Sequence, residues 1–332
     1  MSADDLPIPG LIWAYHFPAH AAPRLLPAET VTPNELPADG FLWLHFSLTD
    51  ARLPVYLPNL ALLPADGCRA LLARDRHLSL SVTPHAIVGV MPDFRRLELD
   101  ESAVEYDRFR FLATDRLLVT ARTHPLRAMA TVRSEIDAGR RFAGPADLFG
   151  ALSETFELTI GDIVQGYNDE IDTIEEQIFT ERRADLRARV GTLRRGLIQV
   201  HRTLRTTARL FHRLDAVLPA ELGPATRTMF EQRGHHFAAL DQDVVSLQER
   251  ARLLHEEIDT RQQQETNRHL YILSIATSLL LPPTLVTGYF GMNTKDLPLQ
   301  DIPDGALWAT GLMLASAAAA ALALWRVGVG RR

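Results

Sequence analysis

Hydrophobic positions along this chain change their period twice. Up to about residue 125 the apolar runs are short. LIWAYHF (11–17) and FLWLHF (41–46) are rich in aromatics and bounded by Pro, Gly and Asp, as strands are. Pro54, Pro58 and Pro64 punctuate short helical pieces between Asp50 and Arg74. HLSLSV (77–82), AIVGVM (86–91), RRLELD (95–100), RFRFLA (108–113) and RLLVTA (116–121) follow in succession. Pro84, Pro92–Asp93, Asp107 and Asp115 stand near their junctions. This pattern predicts a mostly antiparallel meander within an α/β layer domain.

From about residue 125 Gly and Pro become rare and the period becomes helical. Over 146–179, Leu148, Leu152, Phe156, Ile160, Ile163, Ile171, Ile174 and Ile178 fall on helical spacing. Residues 183–218 form a second long amphipathic pattern, and Pro219 and Gly223–Pro224 mark the turn after it. A third pattern begins near Ala225. Interrupted only by Gly234, it enters an apolar segment with no linker, which predicts one helix that is first a stalk and then a membrane span.

That apolar segment has no charged residue between Leu270 and Phe290, a helix of about 30 Å, the thickness of a bilayer's hydrocarbon core. Asn267, Leu270, Ser274, Thr277, Leu281, Thr284 and Gly288 step by three and four alternately, the seam of a helix that faces other helices. A seam of small and polar residues inside a membrane is either tight packing or the wall of a wet pore. Two helices cannot enclose a water path, so such a seam needs further copies. Pro282 and Pro283 remove amide donors within the span, which membrane bundles tolerate. After Asn293 comes a polar loop, TKDLPLQDIPDG, and then Ala306–Trp325, a second apolar run long enough to cross.

The resulting division is a cytoplasmic α/β domain (1–145), a cytoplasmic helical layer (146–218), a stalk (219–269), a first span (270–290), an outer loop (291–305), a second span (306–325) and a tail (326–332). Arg261, Arg268, Arg326, Arg331 and Arg332 flank the spans on one side. The loop holds Lys295 against Asp296, Asp301 and Asp304. The positive-inside rule places both termini in the cytoplasm and the loop outside. The N-terminal MSADDLPIPG lacks a basic-plus-apolar targeting signal, in agreement.

Composition narrows the chemistry. Hydrophobic residues make up 46% and charged residues 23%, which argues against disorder. A net charge of −6, with Arg clusters scattered among acids, gives no indication of nucleic acid. The single Cys68 excludes an internal disulfide and a Cys-based zinc cluster. The twelve His show no ligand spacing: His235 and His236 point about 100° apart on a helix, and His201 and His212 lie about three turns apart. His255 and His269 are the titratable groups nearest the inner mouth. No nucleophile elbow, phosphate loop, HExxH or paired acid–base constellation is present, so the chain does not read as an enzyme.

Gly291-Met292-Asn293 ends the first of two C-terminal spans. This resembles the signature of the CorA family of divalent-cation transporters (two spans and a Gly-x-Asn motif), and LSIATSLLLPPTLVTGYFGMN is similar to that family's pore helix throughout. The opening LIWAYHF and GFLWLHFSLTD resemble the zinc-transporting ZntB branch. The loop after the motif reads Thr294-Lys295-Asp296-Leu297, not the Met-Pro-Glu-Leu usual in the magnesium branch. The resemblance implies a funnel-shaped homopentamer in a bacterial inner membrane, with no cofactor and with Zn2+ or Mg2+ as transported cargo. Gly291, Met292 and Asn293 would form the outer filter, Asn293 transiently touching a hydrated ion. Asn267, Leu270, Leu273, Ser274, Thr277, Leu281, Thr284 and Gly288 would line the pore. The three leucines could gate by dewetting, and Asp296, Asp301 and Asp304 would concentrate cations at the outer mouth. Plainer readings stand beside these: hydroxyls bonded to their own helix, leucines and Gly288 that only pack, a solvated Asp296. At the level of function the alternatives are a magnesium (cobalt or nickel) channel, and a membrane-tethered cytoplasmic sensor.

Overall fold

The computed structural model describes all residues except 1–7, 28–30, 32–34, 74, 76, 97–104, 179–182, 216–223, 293–297, 299–303 and 327–332. Seven strands, β1 (Leu11–Phe17), β2 (Arg24–Leu26), β3 (Phe41–Ser47), β4 (Ser79–Val82), β5 (Ile87–Phe94), β6 (Tyr106–Ala113) and β7 (Leu117–Arg122), form one sheet in the order β2-β1-β3-β7-β6-β5-β4. β4 to β7 are the expected antiparallel meander, while β3 and β7 pair in parallel, His45 opposite Thr120. Among the described residues there are seven α-helices: α1 (Leu53–Tyr56), α2 (Ala65–Leu72), α3 (Arg127–Asp137), α4 (Pro145–Gln177), α5 (Arg183–Asp215), α6 (Pro224–Phe290) and α7 (Gly305–Arg326).

Each face of the sheet carries its own core. Trp13, Trp43, Phe94, Phe109 and Phe111 face α3 to α6, and Ala14, Leu42, Leu44, Phe46 and Val119 face α1 and α2. Burial on both faces explains why FLWLHF is continuously apolar instead of alternating. Gly40 starts β3 with φ of +69°. A Cβ there would lie 1.9 Å from the Phe17 carbonyl oxygen, so no side chain fits.

Three local features differ from the sequence reading. RRLELD forms no strand among the described residues: Arg95 makes an isolated bridge to Leu126, and 97–100 lie outside the described residues. Pro92 lies inside β5, not at a junction. It sits beyond Val90, the last partner of β4, so its missing donor faces no neighbouring strand. Asp93 is no turn residue. Its carboxylate accepts the Ala128 amide at 3.1 Å and so caps α3 from 35 residues away, where the N-cap residue Leu126 makes no side-chain cap.

The helices are tied to the sheet by a chain of phenylalanine rings that starts on β6 and ends on β5. Phe111 stacks on Phe149 at 4.2 Å, and Phe149 meets Phe230 at 5.7 Å. Phe211 joins Phe230 and Phe237 at 5.5 and 5.4 Å. Phe237 meets Phe156 at 6.0 Å, and Phe156 returns to Phe94 at 5.3 Å. Ion pairs ring this core: Arg250 donates to Asn168, Asp172 and Glu175, Arg233 to Glu157, and His201 faces Asp241 at 2.7 Å.

The chain divides into two compact units, Met1–Glu181 with Asp185–Leu253, and Arg182–Ala184 with Leu254–Arg332. α6 runs through the division as a single helix of 67 residues.

Two outcomes are expected for the first unit. Phe149→Ala should cost about 3–5 kcal/mol in denaturant unfolding of the full-length protein, and Phe149→Leu clearly less. The second concerns pH. Burial pushes the Asp93 carboxyl up to about 7 despite its amide donors, so the folded state holds this proton more tightly than the unfolded chain. The contribution of Asp93 is therefore full below about pH 4 and is lost as pH rises towards 7. His45 runs the other way: burial, then the charge of Arg122, hold its imidazole well below the usual value, and its contribution is lost as pH falls. Because His45 acts alike in both proteins, the gain in melting temperature of Asp93→Asn over the parent should widen from pH 4 to 7. Parallel melting curves would refute the assignment.

Candidate functional site

Every seam residue from Asn267 to Gly288 is solvent-exposed in the single chain, Leu270 at 58% and Leu281 at 66%. Leu273, off the strict seam, is 63% exposed. Among the described residues nothing covers this face of α6. A Cβ on Gly288 would meet no atom within 4 Å, so the chain itself does not demand a glycine there.

The hydroxyls have a defined polarity. Thr277 donates to the Leu273 carbonyl at 2.8 Å and Thr284 to the Leu280 carbonyl at 2.7 Å. Off the seam, Thr287 donates to the Thr284 carbonyl at 3.0 Å. These are the back-bonds that Ser and Thr make in helices. They commit the proton inward and leave the oxygen lone pairs facing outward. Pro282 and Pro283 lie inside the helix, and the Ser278 and Leu279 carbonyls therefore lose their i+4 amides.

At the end of α6, Gly291 still donates its amide to the Thr287 carbonyl at 2.9 Å. Its φ is not positive, so it makes no left-handed turn. A Cβ there would instead lie 2.9 Å from the Thr287 carbonyl oxygen, so close approach to the helix end is what favours glycine. Met292 is exposed at 45%. Asn293, Asp296 and Asp301 lie outside the described residues. Asp304, at φ of 70°, offers its carbonyl to the amides of Leu307 and Trp308 and so opens α7.

α7 has no buried residue, although it is apolar all round. Its exposed Trp308 and Trp325 stand 17 residues apart, roughly 25 Å along a helix. On α6, Tyr271 and Tyr289 stand 18 residues apart, roughly 27 Å. Amphipathic rings at both ends of an apolar helix are the mark of a membrane's two interfaces. Both helices are long and apolar enough to cross a bilayer.

The first unit holds no comparable centre. No three His, Cys, Asp or Glu converge on a metal-sized point among the described residues. His45 is fully buried. Arg122 donates to its Nε2 at 2.9 Å, which leaves Nδ1–H to donate to Thr120 Oγ1 at 2.7 Å, and the Trp13 ring stacks on it at 4.0 Å. A half-enclosed cavity of about 170 Å³ is lined by Arg95, Tyr106, Asp107, Arg108, Arg110 and His124. Burial alone would raise the Asp107 carboxyl, but hydrogen bonds from His124 and Arg95 prevail and hold it below the usual range. His255 faces Asp259 one turn on at 3.6 Å. His212 of α5 meets His235 of α6 ring edge to face at 5.5 Å, a pairing that spacing within one helix does not reveal.

An α/β unit followed by a long helix and two uncovered apolar helices defines a membrane protein with two C-terminal spans. The chain belongs to the CorA-like Mg2+ transporter protein family, whose model matches residues 38–327. It is 24% identical over 315 residues to the divalent cation transporter CmaX of Pseudomonas aeruginosa, covering 93% of each chain. It is 23% identical over 301 residues to the zinc transport protein ZntB of Yersinia enterocolitica, covering 88% of each. Its fold matches that of full-length CmaX with a TM-score of 0.79 at 21% identity, covering 98% of this chain and 99% of that one. It also matches the CorA magnesium transporter of Methanocaldococcus jannaschii with a TM-score of 0.77 at 15% identity, covering 96% and 98%.

Proposed function

We propose that this protein is a homopentameric divalent-cation transporter of the inner membrane, with both termini in the cytoplasm and a central pore lined by the seam of α6. In this reading 219–269 is the stalk, 270–290 and 306–325 are the spans, 291–305 is the outer loop and 326–332 a cytoplasmic tail. The observation that carries it is the uncovered seam whose threonine protons are tied to the backbone. Water bound to a divalent cation points its hydrogens outward and can only donate. A ring of Thr277 and Thr284 oxygens with committed protons can only accept. The two fit without stripping the ion, which Mg2+ in particular resists. No carboxylate lies on the seam within the span to replace the lost water. Rings of Leu270, Leu273 and Leu281 supply hydrophobic constrictions, and Asn293 with Gly291 and Met292 forms the outer filter, where Asp296, Asp301 and Asp304 concentrate cations.

Zinc is the preferred cargo in this reading, on the likeness of LIWAYHF and GFLWLHFSLTD to the zinc branch and on the ZntB relatives. Magnesium, cobalt or nickel is the alternative, supported by the match to a magnesium transporter's fold. Zinc and magnesium flux into proteoliposomes, with and without a pH gradient, decides both cargo and proton coupling. Absence of any flux would favour a membrane-tethered sensor instead. Asn293→Ala should lower flux about tenfold, the scale of one lost interaction of about 1.4 kcal/mol. Unchanged uptake would remove Asn293 from the filter. Thr284→Val keeps the side chain's shape but loses its acceptor, and should slow flux without changing the mass of the assembly.

A further inference from the structure

α4 and α5 segregate charge by helix. α4 carries nine carboxylates and no Lys or Arg, and α5 carries nine arginines against two aspartates. Much of this charge faces outward in two stripes of equal pitch. On α4, Leu158, Asp162, Gln165, Asp169, Asp172 and Glu176 are exposed, stepping by four and three. On α5, Arg195, Ile198, Arg202, Arg205 and Arg209 are exposed, stepping by three and four. Each stripe includes one exposed aliphatic side chain, Leu158 at 63% and Ile198 at 50%.

The protomer leaves most of these charges uncompensated. Among the described residues, Arg202 and Arg205 pair with no carboxylate. Arg195 donates to the Thr192 hydroxyl, and Arg209 to the Arg205 carbonyl. Asp162 and Glu176 accept no cationic side chain, and Asp169 accepts from Gln165. Among the described residues Asp172 alone of its stripe is paired with a cation, Arg250 at 2.6 Å. Like charges one turn apart on a helix repel by a few tenths of a kcal/mol per pair, so each stripe is less stable alone than opposite the other. Both stripes belong to one chain yet both face outward. Their mutual neutralisation therefore needs another chain.

We propose that the acidic stripe of α4 docks on the arginine stripe of α5 of a second copy of this chain. The contact is head to tail: each protomer offers α4 to one neighbour and α5 to the other. Such a heterologous contact repeats and closes into a ring when the rotation permits. Complementary charge at equal pitch sets register and steers encounter, as it does at the flanking positions of coiled coils. A polyanion or an anionic lipid surface would suit the arginines alone but would leave the α4 stripe unexplained. The proposal rests on the assembly of copies proposed above.

The chain's single natural lysine, Lys295, makes a direct test possible. Arg205→Lys preserves charge and introduces one amine into the stripe. A 1:1 mixture of 15N-labelled and unlabelled full-length Arg205→Lys protein, co-assembled in detergent, is treated with a zero-length carbodiimide and mapped by mass spectrometry. Native mass is measured beforehand. The expected result is an isopeptide from the introduced amine to Asp162, Asp169 or Glu176 of the differently labelled copy, lost when about 1 M salt shortens screening to about 3 Å. An assembled protein that yields no inter-copy link, or links only within one copy, overturns the docking and leaves the assembly standing. A monomeric native mass overturns both. Loss of the inter-copy link on adding phosphatidylglycerol vesicles, with the assembly intact, would assign the arginine stripe to a lipid surface and also overturn the docking.

Discussion

Two helices of this chain have apolar surface that no described residue covers. The last third of α6 and all of α7 hold no fully buried residue, so the hydrophobic effect that holds the sheet and α3 to α5 together is unsatisfied there. Every other feature of the second unit answers to that demand. Polar backbone must be satisfied within each helix, so both segments are helical throughout, with Pro282 and Pro283 carried inside α6. Polar side chains must be few and must share a face, and the seam does so. A bilayer satisfies the leucine, alanine and tryptophan surface. It leaves the outward lone pairs of Thr277 and Thr284 with no partner among the described residues.

The contrast with the first unit is one of solvent. There, phenylalanines from β5, β6, α4, α5 and α6 meet ring to ring, and charged residues lie outside them in cross-helix pairs. α6 belongs to both regimes. Its early turns present Phe230 and Phe237 to a protein core, and its late turns carry exposed leucines. One helix serves both, because an α-helix satisfies its own backbone groups in either surrounding, apart from the two carbonyls freed by Pro282 and Pro283.

Much of this was legible in the residues, and the reasons differ by element. LIWAYHF and FLWLHF coincide with β1 and β3 because aromatic density marks a strand buried on both faces. The two long helices α4 and α5 and the start of α6 follow from apolar periodicity and from Pro219 and Pro224. β2 has three residues, too few for a period to show. α3 is capped by Asp93, a residue distant in sequence, so no local capping pattern announces it. The parallel β3–β7 pair depends on a long crossover, and strand pattern alone carries no pairing order. The seam was legible because steps of three and four survive without any knowledge of neighbours. The direction of its hydroxyl protons was not, since Thr277 and Thr284 have the same spacing whether they face a partner or their own backbone. Gly291 illustrates the limit at single residues: its place in the motif does not reveal that the chain there passes close to the carbonyl of Thr287.

The paired aromatic ends carry a consequence for the surroundings of the protein. Tyr271 and Tyr289 on one helix, and Trp308 and Trp325 on the other, set nearly the same apolar height. A bilayer thicker than this height would have to thin around the protein or draw both pairs of rings below the headgroups, and a thinner one would leave apolar turns in water. Either costs fractions of a kcal/mol for each ångström of mismatch. Because both helices share one height, tilting one cannot relieve the other without separating their aromatic belts. Membrane thickness therefore acts on this protein as a graded mechanical load, set by the acyl-chain length of the lipids around it.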